Sequence, residues 1–387
     1  MACPDENTVF ARTVFARTVF ARTVFARTAQ YPQLAISSDH SNPLEDHLRI
    51  FVGEFVSGGG LSDHPISEIP SSLRREGVAM LQAIAGDIAE FAEAVVPLDG
   101  RLKISIPGVE VVKHDPAQPL WSQWIDAASK CDAALIVAPE SDGMLAKGVA
   151  MLRAAGIDVI ACSGDFLRVA SDKLLTAKRL HAAGVAHPLY LATADTRYES
   201  QLLDFDRFVV KPRDGCGTQQ IRTFDRYDDA VDALTDDGIL QGWMPGRSIS
   251  IALVASGRSQ TYLPAVAQEI TDESCHYAGG CGPLDDDAQR RATALASRAI
   301  SAMPPTVRGF VGLDLILGKC PSEDCVIEIN PRLTTSYVGL RWMIKGNLAA
   351  RLFNREKGRV SCKRAVESVR WTPDGHVWLD DSVAQNA

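Results

Sequence analysis

Val326-Ile327-Glu328-Ile329-Asn330-Pro331-Arg332 is the most informative stretch of this 387-residue chain. On a strand, residues two apart point the same way, so Glu328 and Asn330 share one face. Just upstream, Gly312-Leu313-Asp314-Leu315-Ile316 reads as a preceding strand. If the turn between them closes an antiparallel hairpin, Asp314 falls roughly opposite Glu328. Two carboxylates side by side repel unless a cation separates them. Their oxygens and that of the Asn330 amide are hard donors, suited to Mg2+ held jointly by protein and phosphates. Arg332 supplies a planar donor fork for a phosphate oxygen. The alternative is a surface hairpin whose acids face water, and the apolar runs around these acids fit that poorly.

Three segments upstream carry further candidates. In Val209-Val-Lys-Pro-Arg-Asp-Gly-Cys-Gly217 a strand ends on Lys211 and passes into a glycine-containing loop. Such a lysine can reach one phosphate while loop amides cradle another. The segment is not a P-loop, which needs Gly-Lys-Ser or Gly-Lys-Thr opening a helix; a plain strand connection stays open as the alternative. Lys173, in Ser171-Asp-Lys-Leu-Leu-Thr176, is a second candidate cation or else a solvated helix lysine. Gln241-Gly-Trp-Met244 reads as a linker whose backbone could bond a purine, with Trp243 or Met244 packed nearby, or as a core strand.

Wider patterning gives the frame. Strands are expected at Leu48 to Val56, Arg101 to Ile106, Ala133 to Ala138 and Ile157 to Cys162. Helices are expected at Ser72 to Val96, Leu120 to Lys130 and Asp142 to Ala155. This alternation implies a parallel sheet covered by helices. Gly58-Gly59-Gly60 marks a turn beside a substrate cleft. A second unit begins near Ser163 with one helix from Asp165 to Ala183, then a strand at Arg207 to Lys211 and a helix at Asp225 to Leu234. Strands at Ile239 to Met244 and Ile249 to Ala255, a helix at Asp285 to Met303, and the two acid-bearing strands follow. The chain after about Phe353 reads as polar and uninformative.

The order lysine, glycine loop, apolar linker strand, Asp, then Glu-x-Asn with a following Arg resembles the ATP-grasp superfamily over roughly 163–352. The resemblance implies an α/β protein, α+β in its catalytic part: an ATP-grasp fold behind a Rossmann-like pre-ATP-grasp domain. Its implied divisions are a repeat-containing tail at 1–46, the pre-ATP-grasp domain at 47–162, a small lobe at 163–238, a large lobe at 239–355 and a tail at 356–387. It implies ATP and Mg2+, with Mn2+ as a substitute. Lys173 and Lys211 would contact ATP, with Gln241, Trp243 and Met244 along the adenine side. Asp314, Glu328 and Asn330 would hold the metal, and Arg332 and Lys211 would act on the transferring phosphoryl group. Many family members carry an acid where Gly242 stands and another near Ser248, so the ribose contacts differ here. Phe51-Val-Gly-Glu-Phe-Val-Ser-Gly-Gly-Gly60 and Asn330-Pro-Arg-Leu-Thr-Thr-Ser-Tyr-Val-Gly339 resemble, more narrowly, the tyramine–glutamate ligases of methanofuran biosynthesis. The resemblance implies carboxylate–amine ligation through an acyl phosphate, with Thr334 to Tyr337 meeting the acceptor. A carboxylase, another ligase, a kinase-like phosphotransferase and a non-catalytic nucleotide-binding regulator are the competing expectations.

Other features bound this picture. Cys275, His276 and Cys281 match no common zinc spacing and suggest a glycine-rich lid, with His276 or Tyr277 near an acceptor. No Gly-x-Ser-x-Gly elbow is present. Thr8 to Arg27 is four copies of Thr-Val-Phe-Ala-Arg, a period that matches neither helix nor strand and points to a disordered tail. The net charge of −8 argues against a general nucleic-acid binder. Nine irregularly spaced cysteines suit a reduced cytoplasm. No apolar run reaches the roughly 20 residues a membrane span needs. The expected partners are therefore small-molecule carboxylate and amine substrates, with neither nucleic acid nor membrane, in a cytoplasmic protein that a homodimer would suit.

Overall fold

The computed structural model describes residues 48–215, 220–257, 259–271, 275–363 and 366–381. The expected tail at 1–46, loop residue Gly217, the lid residues Glu273 and Ser274, and the last six residues lie outside them. Strands β1 (Arg49–Glu54), β2 (Glu93–Leu98), β3 (Val109–Lys113) and β4 (Ala133–Val137) form a parallel sheet in the order β3-β2-β1-β4. Helices α1 (Ser71–Ala89), α2 (Leu120–Ala128) and α3 (Met144–Ala154) connect and cover it. Parallel strands need such crossovers, and strands β1 and β4 are accordingly mostly apolar and almost wholly buried, whereas edge strand β3 is largely exposed.

Here the expected boundaries shift. The helix expected to run to Val96 stops at Ala89, and Glu93–Leu98 is a strand instead. Two β-branched valines followed by Pro97 disfavour helix at that point. Arg101 to Ile106 is not a strand: the Asp99 carboxylate accepts from the Arg101 amide and guanidinium, turning the chain, and Lys103 has φ 42°. Ile157 to Cys162 contributes only a bridge between Val159 and Ala134. The single helix expected over Asp165 to Ala183 is two, α4 (Gly164–Ala170) and α5 (Lys173–Ala182). Asp172 separates them by accepting from the Leu174 and Leu175 amides, an N-cap that makes Lys173 the first residue of α5.

A small antiparallel sheet follows, made of β5 (Tyr190–Leu191), β6 (Phe208–Pro212), β7 (Arg222–Phe224) and β8 (Gly238–Gly242), with α6 (Glu199–Leu202) and α7 (Tyr227–Asp232) between. Its order is β5-β8-β6-β7. Because β8 pairs with β5 and β6, we put the division between the lobes after Gly242 rather than before Ile239.

The large sheet contains β9 (Arg247–Ser256), β10 (Ser259–Tyr262), β11 (Val266–Ile270), β12 (Tyr277–Gly282), β13 (Gly309–Leu317), β14 (Cys325–Asn330), β15 (Val366–Trp371) and β16 (Val377–Asp381). The strand order is β14-β13-β9-β11-β12-β15-β16, with β10 on β9. Helix α8 (Asp286–Ala302) packs against it, and α9 (Tyr337–Met343) and α10 (Leu348–Leu352) follow β14. Two expectations fail here. Residues 366–381, expected within a tail, form a hairpin whose Trp371 is buried. The expected lid is largely strand β12. A Cβ at Gly279 would lie 2.0 Å from the Trp371 carbonyl oxygen, and one at Gly280 would lie 2.5 Å from its ring. Those glycines serve close strand packing rather than mobility.

Candidate active site

β13 lies between β9 and β14, and Asp314 pairs with Glu328 on β14 and with Ser250 on β9. The register then slips: Leu315 pairs with Val326, so Ile327 has no opposite residue. A bulge of this kind re-aims the side chains beside it. Asp314 accepts from the Asn330 amide at 3.0 Å and from Gln268 Nε2 at 2.8 Å. Burial, and then the charge of Glu328, push the Asp314 carboxyl up to about 6 despite those hydrogen bonds. Burial would raise Glu328 too, but Lys173, Lys211 and Arg332 outweigh it and hold its carboxyl below the ordinary value. The pair is therefore a Glu328 that favours its ionised form beside an Asp314 that resists ionising.

The surrounding cations reach this pair from three elements. Lys173 Nζ lies 3.4 Å from Glu328 Oε2 and donates to the Gly215 carbonyl at 2.6 Å. Lys211, near the end of β6, is only 5% exposed; burial pulls its ammonium down to about 8, partly opposed by Glu328 and Asp314. Arg332 Nε lies 2.9 and 3.0 Å from the two Glu140 oxygens, and Nη1 donates to the Leu333 carbonyl at 3.2 Å.

Lys211, Gln241, Trp243, Met244, Asp314, Glu328, Asn330 and Arg332 all line one cleft of about 1400 Å³. Lys173 is not in its wall and acts from behind Glu328. Gln241 is buried on β8, whereas Trp243 is half-buried with the Arg207 guanidinium 4.4 Å from its ring centre. The glycine at 242 has a steric cause: a Cβ there would lie 2.5 Å from the Phe205 ring. Thr334, Thr335 and Ser336 line the cleft, but Tyr337 does not; its hydroxyl donates to Asp87 at 2.7 Å in the interior. The Gly58–Gly60 turn likewise packs on Trp124 and His114, and its flanks Phe55, Val56 and Leu61 face the cleft.

Sequence reading missed Gln268, Glu140 and Glu76. Gln268 sits on β11, 46 residues from the Asp314 it contacts, and no local motif marks it. Glu140 ends the run Ala133-Ala-Leu-Ile-Val-Ala-Pro-Glu140, where a crevice at the carboxyl end of a parallel strand was the available signal. Glu76, on α1, accepts from the Thr335 hydroxyl.

Whether these residues suit a divalent cation is a question of donor chemistry. Among the described residues no three His, Cys, Asp or Glu side chains form a metal-holding group. The set at hand is two carboxylates and one amide, all oxygen donors. Asn330 uses its amide nitrogen on Asp314, so its oxygen is the donor atom for a cation. Such a set fits Mg2+ completed by phosphate oxygens.

Residues 170–336 match the ATP-grasp domain family and residues 92–165 the pre ATP-grasp 3 domain family. An ATP-grasp superfamily protein from Archaeoglobus fulgidus superposes with a TM-score of 0.64 at 23% identity, covering 84% of this chain and 92% of that one. The chain thus has an ATP-grasp fold preceded by a pre-ATP-grasp domain. More particularly, it is similar to the tyramine–L-glutamate ligases of Methanocaldococcus fervens, 27% identical over 214 residues, and Methanocaldococcus jannaschii, 25% identical over 210. These matches cover 55% and 54% of this chain, and 62% and 58% of the relatives' own length. Among the described residues no helix is long and apolar enough to cross a membrane.

Proposed function

We propose that the protein is an ATP-dependent carboxylate–amine ligase that forms an amide through an acyl phosphate. The observation that carries this reading is the convergence of Lys173, Lys211 and Arg332 on the Asp314–Glu328 pair, at one end of a cleft roomy enough for a nucleotide and two further substrates. Asp314, Glu328 and Asn330 would hold Mg2+, or Mn2+ in its place, which when bound neutralises triphosphate charge.

In this reading the triphosphate lies along Lys211 and Arg332, with adenine toward Gln241, Trp243 and Met244. A substrate carboxylate oxygen attacks the γ-phosphorus, and the bond to the β-phosphate oxygen breaks to release ADP. Lys211 and Arg332 stabilise the charge that builds on the moving phosphoryl oxygens, and their strengthening contacts lower the barrier. Lys173 keeps Glu328 ionised and oriented. The amine then attacks the acyl carbon, inorganic phosphate leaves with the acyl C–O bond, and the amine proton is lost. An acyl phosphate hydrolyses readily, so water must be kept from it until the amine attacks.

Glutamate and tyramine, or a related amine, are the first pair to test, on the strength of the named relatives. The protein would work in the cytoplasm on these small molecules, without nucleic acid or membrane. The experiment is ADP release with panels of carboxylates and amines. Amine-dependent turnover with an amide product supports the ligase. Bicarbonate dependence without an amine supports a carboxylase, and nucleotide binding without turnover supports a regulator. In the active protein Glu328→Gln should cut turnover by about 100-fold or more; unchanged turnover would put the metal elsewhere.

A further inference from the structure

The turn 139–142, which follows β4 in the pre-ATP-grasp sheet, touches both phosphate-handling parts of the proposed site. Glu140 is 6% exposed and holds Arg332 through Nε, the inner corner of the guanidinium fork. Two residues on, the Asp142 amide donates to Asp214 Oδ2 at 3.0 Å, and the Ser141 hydroxyl donates to the Asp214 carbonyl at 3.4 Å. Asp214 belongs to the loop after Lys211, and the next residue, Gly215, accepts from Lys173. Asp142 has φ 53°, a left-handed conformation uncommon for residues other than glycine and maintained here by a turn bonded on both sides. Pro139, Ser141 and Asp142 line the cleft, whereas Glu140 reaches it only through Arg332.

We propose that Glu140 is a positioning residue for phosphoryl transfer, fixing the plane of Arg332 and tying it, through its own turn, to the Lys211 loop of the small lobe. This rests on the ligase reading above. Taking two charges out of water costs more than a loose ion pair returns, so stability alone is a poor reason for a buried carboxylate here. An arginine held at one edge has already lost its rotational freedom and meets the developing charge without reorganising. The same turn couples that alignment to the small-lobe loop, so both phosphate contacts are set together.

The test uses the full chain carrying Glu140→Ala, Glu140→Asp and Arg332→Ala, singly and with Glu140→Ala combined with Arg332→Ala. ADP release with the active carboxylate–amine pair is measured beside the melting shift caused by MgADP. Glu140→Ala should lower kcat about 100-fold while KM for ATP and the MgADP shift stay within about two-fold of wild type. Glu140→Asp should recover part of the loss. In the Arg332→Ala background Glu140→Ala should cost nothing further, because the two residues act as one unit. A kcat within about two-fold of wild type, or full additivity with Arg332→Ala, overturns the proposal. So does loss of the MgADP shift in Glu140→Ala, which marks a merely structural role. A wild-type protein with no ATP-dependent turnover on any pair overturns the ligase reading and this role with it, whereas the other adverse outcomes leave the ligase intact.

Discussion

The small antiparallel sheet and the rest of the molecule are built on different cores. Residues of the parallel sheet and of the large sheet share the same two apolar clusters: Trp124, Leu145 and Val311 lie in one, and Ile84, Val96, Tyr337 and Trp371 in the other. The small lobe instead closes over two small clusters of its own, one around Tyr190 and Ile239, the other around Phe208 and Leu240. Helix α5 bridges them, with Leu174 and Ala177 facing the small lobe and Leu180 the larger core. Apolar burial scales with the area removed from water, so the fused body has the greater reserve. The lesson is that Asp314, Glu328 and Arg332 stand on the firm body, while Lys211 and the linker stand on the lighter one.

Substitutions can break or sharpen that contrast. The largest effect should come at the proposed phosphate site. Arg332→Ala should lower kcat by about 1000-fold or more, measured as ADP release. Next, Trp371→Ala should destabilise the fused body by about 3–5 kcal/mol in denaturant unfolding. Hydrogen exchange should then quicken in β1, β2 and β9 together, and quickening confined to β15 would disprove the shared core. Gly242→Ala should cost about 1–3 kcal/mol, because the new methyl meets the Phe205 ring. Its exchange signature belongs in β5, β6 and β8 only.

The smallest effect is a pH dependence within the small lobe. Burial alone would raise the Asp195 carboxyl, but Arg197 and Lys178 overcome it and hold the group at about 2. With a folded value below the unfolded one, Asp195 contributes stability that is complete above about pH 4. That contribution is lost as the pH falls through about 2. Asp195→Asn should therefore melt a few degrees lower than wild type at pH 6, with the gap shrinking as the pH falls to 2. A gap that persists undiminished at pH 2 would mean that something other than the charge is at work.

Much of the β13–β14 hairpin was legible because its signals are local. Acids within apolar runs announced burial, a period of two set Glu328 and Asn330 on one face, and a short connection made antiparallel pairing of Asp314 with Glu328 the natural outcome. The C-terminal hairpin was missed although Thr372-Pro-Asp-Gly375 between two alternating runs is a turn signature. Asp172 as a cap was likewise available, since Asp before an apolar helical run is a start signal. Gln268 had no local signal, and Glu140 had only its place after a parallel strand; each meets its partner only after strands distant in sequence have packed.

The amino-acid sequence on its own determined the inventory: which oxygen donors, which cations, in what order and on which kind of element. Backbone period and side-chain chemistry are properties of neighbouring residues, and they survive in a one-dimensional string. Tertiary structure alone decided that Glu328 stays ionised while Asp314 resists, that Lys173 stands behind the wall rather than in it, and that Arg332 answers to a glutamate 192 residues away. Those outcomes depend on burial and on Coulomb interactions that change over a few ångströms, and such distances exist only once the chain has packed.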